Sequence, residues 1–230
     1  MLAIEKVRAI TLDLDDTLWP IWPTIAKAEK ALGTWFDEHA PATGRLWADL
    51  ERRRLLREQV VREHLDRSHD MGFMRHESIR RALAQSGEDE ALAGPAFEVF
   101  IAMRHQVELY EDAQEALAFL AERFPVVAVS NGNADLSRIG LAPHFRAAFS
   151  ASSFGVGKPD ARIFHAAAEA AGVPADAVLH VGDDALLDVL GAHAAGMQTA
   201  WVNRGEHPWM QALRPHVQVA DLRELCALFS

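Results

Sequence analysis

The amino-acid sequence predicts an α/β fold: a parallel sheet interrupted, after its first strand, by an inserted helical domain. Three observations carry this expectation. Short apolar runs, partly β-branched, recur at residues 7–14, 126–130, 147–150, 178–181, 199–203 and from 217 onward, the pattern of buried strands. Helical patterns separate the later runs, as parallel strands require. Residues 24–107 are almost wholly helical in pattern, so the interval between the first two strands is too long for a single helical crossover. A length of 230 residues accommodates one core domain plus such an appendage.

The first strand contains Val7, Ala9, Ile10, Leu12 and Leu14 and places Asp13 and Asp15 at its C-terminal end. Strand alternation points residues 13 and 15 to the same side, at the sheet edge where open α/β sheets bind ligands. Neighbouring carboxylates repel, so the pair needs a cation, a proton or N–H donors. After Thr17 comes LWPIWP, in which Pro20 and Pro23 interrupt regular structure. Trp19 and Trp22 there either pack the base of the next domain or line a substrate pocket. Four helices follow, over 24–39 (Ile25, Ala28, Ala31, Leu32, Trp35 and Phe36 on one face), 44–65, 74–85 and 91–107. The domains are thus 1–18 with 108–230 for the core, and 19–107 for the insertion. The basic run from Glu51 to Arg57 reads as a solvated face with Glu/Arg pairing, the alternative being that one of its arginines, or Arg75, reaches into the site. His64, His69 and His76, spaced five and seven apart, fit no single-face metal site.

From Tyr110 onward, strands and helices alternate again. Asp112 is the expected N-cap of a helix to residue 122. The strand 126–130 ends in Ser130, followed by Asn131 and Gly132, whose backbone N–H groups suit phosphate oxygens. A short helix over 135–139 and the strand 147–150 come next. Lys158 lies in the turn VGKPD, with Pro159 restricting it to an extended conformation before a helix over 160–171. The strand 178–181 runs into Gly182, Asp183 and Asp184, and Asp188 falls in the first turn of a helix over 185–195. The strand 199–203 leads to Arg204, read as a structural ion pair, and a last strand and helix occupy 217–229.

The formal charge of −10 argues against a nucleic-acid binder and means that an anionic substrate is attracted locally, by a metal and Lys158. No apolar run reaches 18 residues, and the opening MLAIEKVRAI carries charges where a signal peptide needs an unbroken apolar segment. No membrane association and a cytoplasmic location are therefore expected. The one cysteine, Cys226, allows no intramolecular disulfide and is consistent with a reducing compartment.

Asp13/Asp15/Thr17, Ser130, Lys158 and Gly182/Asp183/Asp188, in this order over nearly the whole chain, resemble the four motifs of the haloacid dehalogenase superfamily. The resemblance implies a doubly wound, Rossmann-like parallel sheet with an inserted four-helix cap, and Mg²⁺ bound by the Asp13 side chain, the Asp15 backbone carbonyl and the Asp183 side chain. It implies Asp13 as nucleophile and Asp15 as acid/base. Ser130, Asn131, Gly132 and Lys158 hold the phosphoryl group, and Asp188 orients Lys158 or a metal-bound water. Asp184 has no clear assignment. An acid at position 15 separates the chain from true haloacid dehalogenases, which lack it and bind no metal.

The implied activity is phosphatase, through an aspartyl-phosphate, on a small phosphorylated metabolite, by a monomer or homodimer. The strings LDLDDTLW, VSNGNA and HVGDDALLDVLGA, with the cap, look like bacterial flavin-pathway (riboflavin biosynthesis) phosphatases acting on 5-amino-6-(5-phospho-D-ribitylamino)uracil and often FMN. Trp19, Trp22, Trp47 and Phe73 are available to stack on a ring system. The alternatives are a phosphatase for phosphoglycolate, a nucleotide or a sugar phosphate and, more distantly, a non-catalytic scaffold.

Overall fold

A computed structural model describes residues 1–205 and 207–230. The chain forms two compact units, one made of Met1–Pro20 and Glu108–Ser230, the other of Ile21–Val107. The first contains six strands: β1 (Ala9–Leu12), β2 (Val126–Ser130), β3 (Ala147–Ser150), β4 (Val178–Gly182), β5 (Gln198–Val202) and β6 (Val217–Val219). They form one parallel sheet in the order β3-β2-β1-β4-β5-β6. β1, β2, β4 and β5 are buried along their whole length, which explains why their sequences are continuous apolar runs rather than alternating ones. The order reverses at β1, whose neighbours are β2 and β4, so the C-terminal end of β1 is the switch point where such sheets bind ligands. On one face, Ala9, Val127 and Val129 pack against Ile163, Phe164, Ala167 and Ala168 of the helix Ala161–Ala171. Each fully buried Ile or Phe side chain there contributes about 1.5–3 kcal/mol.

The other unit contains, among the described residues, five α-helices: α1 (Ile21–His39), α2 (Pro41–Ala48), α3 (Leu50–Glu63), α4 (Met71–Gln85) and α5 (Ala93–Arg104). Its core joins Ala28, Leu32, Phe36, Trp47, Leu56, Val60, Ile79, Leu83 and Phe100. The single helix predicted for 44–65 is two helices. Pro41 occupies the first turn of α2, and the Asp49 carboxylate accepts from the Glu51 and Arg52 N–H groups at 3.1 Å each, ending one helix and capping the next. The insertion therefore has five α-helices where four are expected. Helix α1 also begins earlier than predicted, with Pro23 inside its first turn, where proline's missing N–H has no intrahelical partner to lose.

Candidate active site

The motif residues meet at the C-terminal ends of β1, β2 and β4. The register pairs Leu12 with Ala128 and with Val181, so Asp13, Ser130 and Asp183 leave neighbouring strands at the same edge. The Asp13 N–H still bonds the Val181 carbonyl at 2.9 Å, but the strand ends at Leu12 and the chain then turns. Asp16 takes a left-handed φ of 60°, a conformation Asp tolerates better than most residues, and the Leu18 N–H returns to the Leu14 carbonyl at 2.8 Å. Alternation therefore does not extend to Asp15. Its carboxylate instead accepts the Trp19 indole N–H at 2.8 Å, and the carboxylates gathered with buried Asp13 are Asp183 and Asp188, with one oxygen of each within 4.8 Å of the others.

Thr17, fully buried, places its hydroxyl 3.3 Å from Asp13 Oδ2 and 3.3 Å from Asp183 Oδ1, with one proton for two acceptors. Lys158 is buried and donates through Nζ to Asp13 Oδ1 and, at 2.6 Å, to Asp188 Oδ1. Asn131 holds the lysine backbone. Its Nδ2 donates to the Lys158 carbonyl at 2.8 Å, and its Oδ1 accepts the Lys158 N–H at 2.7 Å. The Lys158–Pro159 bond is cis. A Cβ at Gly157 would stand 2.4 Å from Asn131 Oδ1, so this clamp requires glycine there. The Gly132 N–H turns back onto Ser130 Oγ at 3.0 Å. A cleft of about 390 Å³ meets the motif residues only at Leu14 and Ser130; Asp13, Lys158, Asp183 and Asp188 are not part of its walls.

Asp188 lies in a π-helical turn, Ala185–Leu190, and both its oxygens take donors: Lys158 Nζ and His180 Nε2 (3.0 Å) on Oδ1, and the Asp184 N–H (2.9 Å) on Oδ2. A Cβ at Gly182 would sit 2.3 Å from Asp188 Cγ, so glycine is what admits the carboxylate. Asp184 caps the turn, accepting from the Leu186 and Leu187 N–H groups at 2.7 and 2.8 Å. Burial opposes ionisation of Asp188, but Lys158 and then His180 outweigh it and hold its pKa well below the usual carboxylate range. Asp13 moves the other way: burial lifts it well above that range, Lys158 offsetting only part. Burial, then the Asp188 and Asp16 charges, push Asp183 up to about 7. For Lys158, burial works against the ammonium, but Asp13 and Asp188 prevail and raise its pKa.

With all four groups ionised, three carboxylates share one ammonium, which leaves two negative charges uncompensated in a largely buried place. Such an oxygen-only donor set suits a hard divalent cation such as Mg²⁺.

Three residues with no role in the motif pattern support these groups. His180, inside β4, is buried, and burial lowers its pKa. A neutral ring beside ionised Asp188 carries its proton on Nε2, which leaves Nδ1 to accept the Thr11 hydroxyl at 2.9 Å. Trp201, aligned with Gly182 across β4 and β5, donates its indole N–H to the Asp183 carbonyl at 2.6 Å. A polar His180 within an otherwise apolar strand, two residues before Gly182-Asp183, is the one local signal by which the sequence could have revealed this support. Arg204 is the structural ion pair expected of it: its guanidinium grips both Asp112 oxygens, at 2.9 and 2.8 Å, and the Thr17 carbonyl at 3.0 Å. Asp112 precedes its helix as predicted but does not cap it. Its side chain accepts from Arg204 and from the Leu222 N–H at 2.7 Å. Trp19 is fully buried, Trp22 is 75% exposed, and Trp47 and Phe73 pack within the helical unit.

A family model described as haloacid dehalogenase-like hydrolase matches residues 7–196. The chain is 34% identical to the 5-amino-6-(5-phospho-D-ribitylamino)uracil phosphatase YigB of Escherichia coli, over 98% of this chain and 97% of that protein. It is 36% identical to a phosphoserine phosphatase of Thermus thermophilus, over 67% of this chain and 64% of the other. Among solved structures, a 2-haloacid dehalogenase from Pseudomonas syringae pv. Tomato DC3000 superposes with a TM-score of 0.91 at 36% identity, covering 97% of this chain and all of that one. No helix among the described residues is long and apolar enough to cross a membrane. A family match over most of the length and a relative alignable from end to end agree with the parallel sheet and its switch-point carboxylates, and the chain belongs to the haloacid dehalogenase-like hydrolase family.

Proposed function

We propose that this hydrolase is a Mg²⁺-dependent phosphatase acting on a small-molecule phosphate monoester. The observation that carries the reading is buried Asp13, held by Lys158 and Thr17 beside Asp183, in a cluster two positive charges short of neutrality. Asp13, Asp183 and the Asp15 backbone carbonyl are the groups to hold Mg²⁺, whose positive charge counters the oxygen charge that spreads in phosphoryl transfer. Asp188, with both oxygens already engaged by N–H donors, instead positions Lys158.

Asp13 attacks phosphorus, and the bond to the ester oxygen breaks to leave an aspartyl-phosphate. Asp15 gives its proton to the departing oxygen, then takes one from the water that attacks the intermediate, which releases inorganic phosphate and restores Asp13. Ser130, Lys158 and the N–H groups of Asn131 and Gly132 hold the phosphoryl oxygens, the Gly132 N–H turning from Ser130 Oγ to do so. The end-to-end similarity to YigB supports 5-amino-6-(5-phospho-D-ribitylamino)uracil as the substrate, and the resemblance of the motif strings to flavin-pathway phosphatases adds FMN as a second candidate.

The test is a panel, run with and without Mg²⁺, of those two compounds, phosphoserine, phosphoglycolate, a nucleotide, a sugar phosphate and a 2-haloacid. Release of phosphate from the ribityl compounds ahead of the rest is expected. Fast turnover of another ester removes the substrate, and halide release without phosphatase activity removes the whole reading. Asp15→Asn is expected to lower kcat by about 10²–10⁴-fold, the usual contribution of an acid/base group.

A further inference from the structure

Within the helical unit, three arginines converge on one carboxylate. Glu29 of α1 accepts from Arg53 at 2.9 Å and from Arg57, both of α3, from Arg75 of α4, and from the Trp47 indole of α2 at 3.0 Å. The Glu29, Arg53 and Arg75 side chains are 13%, 17% and 15% exposed, and Arg57 is 37% exposed. Arg53 and Arg57 lie 5.8 Å from the centre of the Trp47 ring, and Arg75 lies 4.2 Å from that of Phe100. One guanidinium neutralises Glu29, so the group keeps two surplus positive charges in a chain whose net charge is −10. Holding like charges together and partly out of water is unfavourable unless something compensates them. Burial and then the neighbouring Arg57 charge push Arg75 down to about 10 in spite of Glu29. The surplus is also accessible: Arg53 and Arg57, with Arg54, Glu58 and Arg62, line a surface cleft of about 460 Å³.

We propose that this cluster is an oxyanion site, in which Arg53 and Arg57, held in place by Glu29 and the Trp47 face, bind the phosphate-type group of a small molecule in the cleft. A guanidinium presents a planar fork that matches two oxygens of such a group, and a ring beneath it reduces the freedom lost on binding. Glu29 gives the arginines a shared anchor while neutralising only one of them. The inference stands whether or not the phosphatase reading holds, because every residue in it belongs to the helical unit.

Phenylglyoxal modification of the full-length protein in EDTA, mapped by peptide mass spectrometry, tests it. Inorganic phosphate is expected to slow modification of Arg57 and Arg53 by about tenfold at ten times its dissociation constant, as the fraction of free site shrinks. Arg52, whose side chain is 70% exposed and lies outside the cluster, is expected to react at an unchanged rate. A second arm with glycerol 3-phosphate separates the sources. Equal protection by both probes shows that the oxyanion alone is bound, and stronger protection by the ester shows that a phosphorylated metabolite is preferred. Arg57→Gln, with its fold checked by circular dichroism, is expected to abolish the protection of Arg53. Modification of Arg57 and Arg53 at the same rate with phosphate, with the ester and with chloride of equal ionic strength overturns the proposal, and so does full protection of Arg53 in the folded Arg57→Gln protein.

Discussion

Buried polar side chains behind Asp13 form a continuous chain from the Thr11 hydroxyl through His180 and Asp188 to Lys158. Asp188 is the branch point, and His180 is the member whose loss leaves the Thr11 hydroxyl with only a long contact to Met197 Sδ, at 4.0 Å, and Asp188 Oδ1 with Lys158 as its one donor. His180→Leu keeps the volume roughly constant and removes both hydrogen bonds. It is expected to cost about 1–3 kcal/mol by urea denaturation, the usual penalty for stranding buried polar groups. Phosphate-ester turnover falls with it, because Asp188 then holds Lys158 with one donor fewer. An unchanged urea midpoint contradicts the hydrogen-bonding scheme. The DLDDT and Gly-Asp patterns mark Asp13, Asp183 and Asp188 in the sequence, whereas Trp201 and Thr11 are ordinary strand residues until the register of β1, β4 and β5 is known.

Elements joined by one carboxylate depend on its charge. Asp112 receives Arg204 from the segment after β5 and the N–H of Leu222 at the start of the final helix, Leu222–Ala227. Burial opposes its charge, but Arg204 and the Leu222 N–H prevail and lower its pKa from the ordinary 3.8. A group whose pKa is lower in the folded than in the unfolded state contributes stability that is complete above the unfolded value and disappears as pH falls through the folded one. Asp112→Asn is therefore expected to lower the melting temperature at neutral pH and to flatten its decline below pH 3.8, by comparison with wild type in a series of melts. Strand positions such as 126–130 and 178–182 are legible because a fully covered parallel strand must be apolar along its length. The break at Asp49 is less legible, because a capping aspartate and an exposed helical one look alike until its carboxylate is seen on two backbone N–H groups.

For the molecule as a whole, the uncompensated charge at the switch point links metal, pH and stability. Asp183 is raised from 3.8 to about 7, a shift that favours the folded state at low pH and is lost as pH rises through 7. In EDTA the wild type is expected to lose stability between about pH 5 and pH 8 relative to Asp183→Asn, which has no such proton to release. Adding Mg²⁺ at pH 8 restores the wild type, by about 2.7 kcal/mol at one hundred times the dissociation constant, and has little effect at pH 5, where the carboxylate keeps its proton. Equal melting shifts at both pH values, or none in wild type at pH 8, contradict the assignment of Asp183 as a ligand.

The sequence by itself determined the six strands, the helical insertion and the family, because apolar runs and motif spacing are local properties that survive without coordinates. Only the tertiary structure decided that Asp188 engages both oxygens with N–H donors, that Asp184 is a cap and that Asp15 faces the Trp19 indole. The same holds for the three arginines that share Glu29. Each of these depends on which of several chemically equivalent side chains meets a given donor or acceptor, and that is set by strand register and helix packing between residues far apart in the chain.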